Sequence, residues 1–565
     1  MIRIRRARLV FLALPIILLF FFLALDSMVG DSPTMDEQNH LARGIALMRS
    51  GDPRFSLEHP PLINLLSALP LLTIDNLQIP FDHPSWDQPE GWYAFADQLL
   101  WVYNHDVTRM IFLARLPSIF LTLALALICF HFARELWGKP AALIAFLLVL
   151  FDPNILAHGR YITTDLGGTT MLVLAAYLLW RLWKTAGWHW GRLLAATVGL
   201  GLALSSKLSI LVFLPIFALI SLLPLYEGNN GWRDSLRRLA SLAIASLGAL
   251  IIVWAIYAFE WGSFRFSSNG LESLNHLSGP MPTFFGGIEQ ILLISGGGRP
   301  SFLLGQFSTE GWWYYFPIAF LVKTPLPVLG LFGLAVVLML KERLTRGRAV
   351  FLILPAVLFF LVSMGSSLNI GYRHLLPILP FLYLLGSGMT ALPAVTARLP
   401  LWEARLVKGM LIAVVASVLI IDIILHPHYL SYFNILGGGP SNGHQILVDS
   451  NLDWGQDLLR LKKWMAHNEI EKVKLSWFGT ADPGYYDIDY EPLPGLTHHF
   501  DLWWDVPFDS ETPEPGIYAI SVSNLWEIPL EEKNVFPWFR DRPPDDRIGY
   551  SIHIYMVTEE KSDSR

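Results

Sequence analysis

The 565-residue chain has a single cysteine, Cys129, set inside an apolar run. That excludes a disulfide framework and a cysteine metal site. Charge is scarce as well: Asp, Glu, Lys and Arg make up 16% of the residues, and the formal net charge is −6. So slight a balance offers no basic footprint for nucleic acid. The sequence contains no GxxxxGK(S/T), no dinucleotide fingerprint framed by a strand and a helix, and no HExxH. A soluble phosphate-binding loop and a zincin site are therefore excluded. Internal repeats and low-complexity tracts are missing too.

What the chain has in quantity is apolar surface. Hydrophobic residues are 53% of the total, with 21 Trp and 35 Phe, which excludes an ordinary soluble enzyme. Runs long enough to cross a bilayer recur through the first 425 residues, at 9–25, 110–132, 141–157, 166–183, 193–205, 208–225, 239–259, 317–339, 350–364, 374–391 and 408–425. The expected architecture is a polytopic α-helical membrane domain of about eleven spans, residues 1–427, followed by an extracytoplasmic α/β or α+β domain, 428–565. The basic start (Arg3, Arg5, Arg6, Arg8) followed by an apolar run lacks a small-residue cleavage site, so an uncleaved first span is expected. With that end in the cytoplasm, the inner segments hold 19 Lys and Arg, Arg398 among them, while the short outer loops hold only Arg160, Lys207 and Arg373. This bias places loops 26–109 and 260–316 and the C-terminal domain outside. A bacterial plasma membrane is the expected location.

The stretch Asp31–Leu62 concentrates ionisable groups in this apolar background. Asp36 and Glu37 adjoin at the start of an expected helix, with Ser32 and Thr34 available to cap it. Asp36, His40 and Arg43 share one face of that helix, and Leu41, Ile45 and Met48 share another, as in a helix lying on a membrane surface. Downstream, Glu58-His59-Pro60-Pro61 is stiffened by two prolines. A carboxylate pair just outside a bilayer can supply a general base, because each acid raises the other's pKa and low dielectric adds to it. The same pair also suits a helix N-terminus through the macrodipole.

Further polar groups fall at the same expected face. His158-Gly159-Arg160-Tyr161 leads through Thr163-Thr164-Asp165 into an apolar helix, and Asn369-Ile370-Gly371-Tyr372-Arg373-His374 fills another tight loop. Arg160 and Arg373 have the fork geometry that binds phosphate, and Lys207 and Lys323 stand near span ends. Lysines there also simply snorkel. Trp86, Trp92, Trp312, Trp313, Tyr314 and Tyr315 fit either an interfacial aromatic belt or a surface for sugar or lipid.

Beyond 428, strands are expected at Gln445–Ser450, Lys472–Phe478, Gly516–Ser523 and Tyr550–Val557, with a helix over Asp457–Asn468. Asp449, Asn451, Asp453, Trp454 and Gln456 form a polar cluster suited either to glycan contact or to capping and domain packing.

The Asp-Glu pair, the HPPL turn after it, and the stretches HGRYITTDLGGTTMLVLAAY, GWWYYFPIAFLVKTPLP, GYRHLLPILPFLYLLG and YLSYFNILGGGPSNGHQILVDSNLDWGQDLLRL resemble the C-type glycosyltransferases. Within them the chain is similar to the protein O-mannosyltransferase-like branch and the lipid A aminoarabinose transferases. The resemblance implies inverting transfer of a sugar from a polyprenyl-phosphate carrier to a protein, lipid or glycan hydroxyl outside the cytoplasm. It implies Asp36 as general base and Glu37 as an orienting residue. It also puts His40, His59, Arg160, Lys207, Arg373 and His374 among the substrate-binding groups. His59 replaces a lysine that the aminoarabinose transferases carry before Pro-Pro, and Asn39 and His40 replace an Arg and a Tyr, so phosphate neutralisation shifts to Arg160, Lys207 or Arg373. Asp165 matches a second acidic position that in some relatives holds a divalent metal. The expectation is therefore no required cofactor, with Mg²⁺ or Mn²⁺ on Asp36 and Asp165 as the alternative. Two other classes compete. A lipid-linked sugar transporter or flippase would show mid-membrane charges and symmetric halves; a non-catalytic glycan-assembly protein would use its C-terminal domain alone.

Overall fold

A computed structural model describes residues 2–88, 91–226, 231–268, 270–392, 401–495, 508–530 and 532–559; Arg398 and the side chains of Arg3, Arg5, Arg6 and Arg8 lie outside the described residues. The apolar runs form helices because a backbone in lipid must satisfy its own hydrogen bonds. Among the described residues six helices are long and apolar enough to cross a membrane: Val107–Trp137, Thr164–Trp183, Gly231–Ile256, Arg343–Met364, Tyr372–Ala391 and Trp402–Leu425. A seventh span would be the pair Tyr315–Lys323 and Leu326–Lys341, bent by 114°. The bend falls at Thr324-Pro325, where Thr324 is extended as a residue before proline tends to be.

Of the eleven expected spans, the others are shorter apolar helices: Leu14–Val29, Lys139–Leu150, Trp190–Leu204 and Leu208–Ser221. The run 141–157 is interrupted because the Asp152 carboxylate accepts from the N–H groups of Asn154 and Ile155, starting a new helix at Pro153. With these spans the chain is an integral membrane protein.

The helix Glu37–Ser50 departs from the surface-lying element the sequence suggests. Residues 37–47 are buried throughout, and Leu41, Ala42 and Ile45 pack with Phe95, Leu99, Met110 and Ile162 in a core of their own. Burial is possible because the polar residues are partnered: Gln38 Nε2 donates to Asp97, His40 Nδ1 bonds Asn64 Oδ1, and Arg43 pairs with Glu58. Gly44 lets the following helix, Leu62–Ala68, come close; a Cβ there would stand 2.1 Å from the Asn64 carbonyl oxygen.

Two hairpins occupy the 260–316 loop, β1 (Trp261–Ser263) with β2 (Ser278–Pro280) and β3 (Ser301–Leu303) with β4 (Gln306–Ser308). The C-terminal domain is a mixed five-stranded sheet of β5 (Lys472–Ser476), β6 (Asp489–Pro492), β7 (Gly516–Ser521), β8 (Asp546–Ile548) and β9 (Ile552–Val557), in the order β6-β5-β7-β9-β8. Parallel pairing joins β6, β5 and β7; β7–β9 and β9–β8 are antiparallel. Alternation sorts its residues between two cores: Ala519, Ile552 and Ile554 face the helix Leu458–His467, whereas Tyr518, Ile520 and Tyr555 face Phe536 and Phe539. The expected strand at Gln445–Ser450 is absent; Gly443–Gln445 and Asp449–Asn451 are 3₁₀ turns. The left-handed conformation of Asp449, φ 57°, breaks any extended run there.

A buried ion cluster fixes this domain to the loop 26–109. Asp31 lies 2.6 Å from Arg460 of the C-terminal domain and 3.0 Å from Arg160, and it accepts from the Tyr161 hydroxyl. Ser32 N–H and Met35 N–H donate to the carbonyls of Gln456 and Trp454.

Candidate active site

Asp36 stands at the N-terminus of the helix Glu37–Ser50, yet its side chain makes no cap bond. Its partner comes from far along the chain: Arg373 Nη1 donates to Asp36 Oδ2 at 2.7 Å. The same Nη1 is 3.6 Å from Asp165 Oδ2, and Lys207 Nζ bonds the other Asp165 oxygen. Two carboxylates and two cations thus alternate in one chain. Four separate parts of the sequence meet here, and the guanidinium of Arg373 lies over Trp454, 4.3 Å from the ring centroid.

The neighbouring segments explain how Arg373 is aimed. Tyr372 N–H donates to Asn451 Oδ1 and Ser450 Oγ donates to the Ile370 carbonyl, so the turn of the C-terminal domain props the arginine loop. Gly371 allows that approach, since a Cβ would meet Ser450 Oγ at 2.3 Å.

The adjacent acids of the first loop have different environments. The Glu37 side chain is fully buried; Arg115 grips it through Nε and Nη2 at 2.8 and 2.6 Å. It also accepts from the N–H groups of Thr34 and Ile162. Arg115 in turn donates to the carbonyls of Met28, Asp31 and Ser32. With its oxygens taken, Glu37 positions the backbone beside Asp36. The Asp36 side chain is 27% exposed against 5% for Asp165, which leaves Asp36 the accessible carboxylate.

Burial raises the Asp36 pKa, but the Arg373 charge, then His40, outweigh it and hold the carboxyl below its ordinary value. His40 is pushed down to about 4 by burial and by Arg43, and His59 falls well below an ordinary imidazole through burial and the nearby His40 and Arg43. Their ring centroids are 4.7 Å apart. As neutral rings they offer hydrogen bonds and no charge to a phosphate. Burial raises Asp449 to about 7 against the opposing charge of Arg373, which adds a titrating carboxyl near this arginine.

The structure therefore brings together Asp36, Asp165, Lys207 and Arg373, with His40 and His59 beside them. His374 shares the Arg373 turn and its buried Nε2 has no partner. Arg160 is directed elsewhere: it is buried against Asp31, Tyr161 and the Pro427 carbonyl in the interdomain cluster. Lys323 is likewise buried, donating to the carbonyls of Leu430 and Asn451. For a divalent ion on Asp36 and Asp165 the donor set is a poor fit, because Lys207 and Arg373 already lie against both Asp165 oxygens and Arg373 holds Oδ2 of Asp36. Among the described residues no three His, Cys, Asp or Glu converge as a metal site.

Of three further participants, Asn64 alone lies outside the clusters that the sequence marks. Asn64 orients His40, while Glu58 pairs with Arg43 at 3.2 Å and stands 3.8 Å from Arg299. Trp454 was legible only as part of a polar cluster. Adjacency of Glu58 to His59 was the signal available for the second.

Residues 52–264 match the family model described as dolichyl-phosphate-mannose-protein mannosyltransferase. In structure the chain is similar to ArnT from Cupriavidus metallidurans bound to undecaprenyl phosphate, with 14% identity, a TM-score of 0.50, and coverage of 98% of this chain and 100% of that one. The apo form of that ArnT gives 14% identity, the same coverages and a TM-score of 0.48. The Archaeoglobus fulgidus oligosaccharyltransferase gives 14% identity and a TM-score of 0.40, over 84% of this chain and 59% of that one. No curated protein matches the chain in sequence. The fold is that of the C-type glycosyltransferases.

Proposed function

We propose that the protein transfers a sugar from a polyprenyl-phosphate carrier to an acceptor hydroxyl with inversion at the anomeric carbon. The transfer takes place on the membrane face that carries the C-terminal domain, which we read as extracytoplasmic. One observation carries the reading: the accessible carboxylate of Asp36 stands beside Arg373, itself held by a second carboxylate that Lys207 neutralises.

In this reading Asp36 takes the proton of the acceptor hydroxyl as its oxygen attacks the anomeric carbon. The bond from that carbon to the phosphate oxygen breaks, and the phosphate leaves on its lipid. Arg373 and Lys207 are placed to meet the charge that develops on the departing oxygen. His40 and His59, as neutral rings, orient sugar hydroxyls or phosphate oxygens. No step requires a metal ion. The mannosyltransferase family model favours a mannose-like donor sugar, and the acceptor is a protein, lipid or glycan hydroxyl.

The test is an assay of the purified protein with polyprenyl-phosphate sugar and a panel of hydroxyl acceptors, with the anomeric configuration of the product read by NMR. Asp36→Asn is expected to abolish transfer while the protein still folds. Turnover by that variant at the native rate would overturn the assignment of the base.

A further inference from the structure

A second cluster of unpartnered polar groups lies away from Asp36, where the β3–β4 hairpin meets the C-terminal sheet. Leu304 N–H donates to the Ile446 carbonyl and Phe302 packs on Trp526 at 4.8 Å between ring centroids, which joins the hairpin to the domain. Along this seam is a cavity of about 450 Å³ lined by His444, Trp526, Arg542, Arg547, His553 and Tyr555 among others. Its volume is that of a small-molecule site, about 300–1,000 Å³.

Two histidines in its wall are almost wholly buried, His553 at 2% and His444 at 7% exposure. Nδ1 of His444 and Nε2 of His553 have no hydrogen-bond partner, and neither has the indole N–H of Trp526. Buried polar atoms are costly when left unsatisfied, so three around one cavity point to a ligand that completes them. Burial, then the charge of Arg547, lowers His444 to about 4, and His553 falls well below the ordinary value, so both rings are neutral near pH 7.

The charge of the wall selects the ligand. Arg547 Nη1 donates to the Ser441 carbonyl, and no carboxylate among the described residues pairs with it. Arg542 lies over the Trp538 ring and donates to the Trp538 carbonyl, and Arg540 pairs with Glu527 at 2.9 Å. Asp541 is exposed at the rim. A metal cation is disfavoured beside these arginines. The wall offers guanidinium for an anion, neutral imidazoles for hydroxyls, and the rings of Trp526 and Tyr555 as apolar faces, the combination a sugar acid requires.

We propose that this cavity is a second binding site, for an acidic saccharide bearing a carboxylate or phosphate, separate from the Asp36 centre. It stands whether or not the catalytic reading does. Its position on the membrane face where the C-terminal domain meets the second outer loop suits recognition of an anionic acceptor glycan or its product.

The test is titration of the full-length protein in nanodiscs with glucuronate, glucose 6-phosphate, glucose and inorganic phosphate, followed by calorimetry. Glucuronate or glucose 6-phosphate should bind, glucose and inorganic phosphate much more weakly. Arg547→Gln and the half-exposed Arg542→Gln should each weaken the acidic sugar by about tenfold, the loss of one charge-assisted hydrogen bond. Arg373→Gln should leave that binding intact. Equal binding of glucose or of phosphate alone would remove the acidic-saccharide assignment. Binding lost in Arg373→Gln but kept in both other variants would put the ligand at the Asp36 centre and overturn the proposal. No binding of any probe would overturn it as well.

Discussion

Arg373 Nη1 reaches Asp36 Oδ2 at 2.7 Å across 337 residues of sequence. The pair ties the loop 26–109 to the turn that opens the span Tyr372–Ala391. It also sets two properties of Asp36 at once: the arginine keeps the carboxyl ionised and lowers its strength as a base. A donor phosphate that draws Arg373 away would release that carboxylate for the acceptor proton.

Replacing Arg373 with Gln should lower turnover by about 10²–10³, the usual cost of losing one electrostatic contact to the developing charge. The acid limb of the rate profile separates this from a folding defect. Asp36 has a depressed pKa, so activity in the native protein should hold as pH falls through 5 and be lost only below the ordinary carboxylate range. Without Arg373 the largest charge opposing burial is gone, and the limb should move up toward neutrality. An unmoved limb in the variant would show that Arg373 does not tune Asp36.

Glu37→Ala should behave as a stability mutation. It would strand the Arg115 guanidinium, buried with a side chain 2% exposed, at a cost of about 3–5 kcal/mol. Thermal unfolding in detergent measures the loss, and Glu37→Gln, which retains acceptor capacity, should fall between that variant and the native protein.

Stability should decline as pH rises from about 4 to about 8. Burial pushes Asp453 up to about 8 and Asp449 up to about 7 in the folded protein. Both are protonated in the fold at pH values where the unfolded chain has released the proton, so the stabilisation is complete in acid and is lost as pH climbs through those values. Asp453→Asn, which keeps an acceptor for the Ser523 N–H, should flatten the slope; an unchanged slope would exclude Asp453 as its source.

The single native cysteine is buried, so sidedness can be read without removing it. Exposed Asp75→Cys, in the first outer loop, should react with a membrane-impermeant maleimide in intact cells. Ala186→Cys, in a loop expected inside, should react only after permeabilisation. The reverse pattern would place Asp36 in the cytoplasm and remove the extracytoplasmic reading.

Chelation should leave turnover unchanged, because Arg373 and Lys207 already stand against three of the four Asp36 and Asp165 oxygens. Activity lost with EDTA and restored by Mg²⁺ or Mn²⁺ would show that an ion displaces one of them.

Local chemistry made much of this legible. Apolar runs gave the helices, since lipid leaves no other way to satisfy a backbone, and the alternation at 516–521 and 552–557 gave strands close to those observed. Asp36, Asp165, Lys207 and Arg373 were identifiable as charges at the ends of apolar runs. What the chain alone did not decide was partnership. Asp36 and Glu37 adjoin in sequence, but one meets Arg373 and the other Arg115, because successive residues at a helix start point in different directions. Arg160 and Arg373 are alike as short-loop arginines, yet Asp31 takes the first into the interdomain clamp. Electrostatic roles depend on distances of a few ångströms between distant segments, and only the packing of the C-terminal turn against the membrane helices fixes those distances.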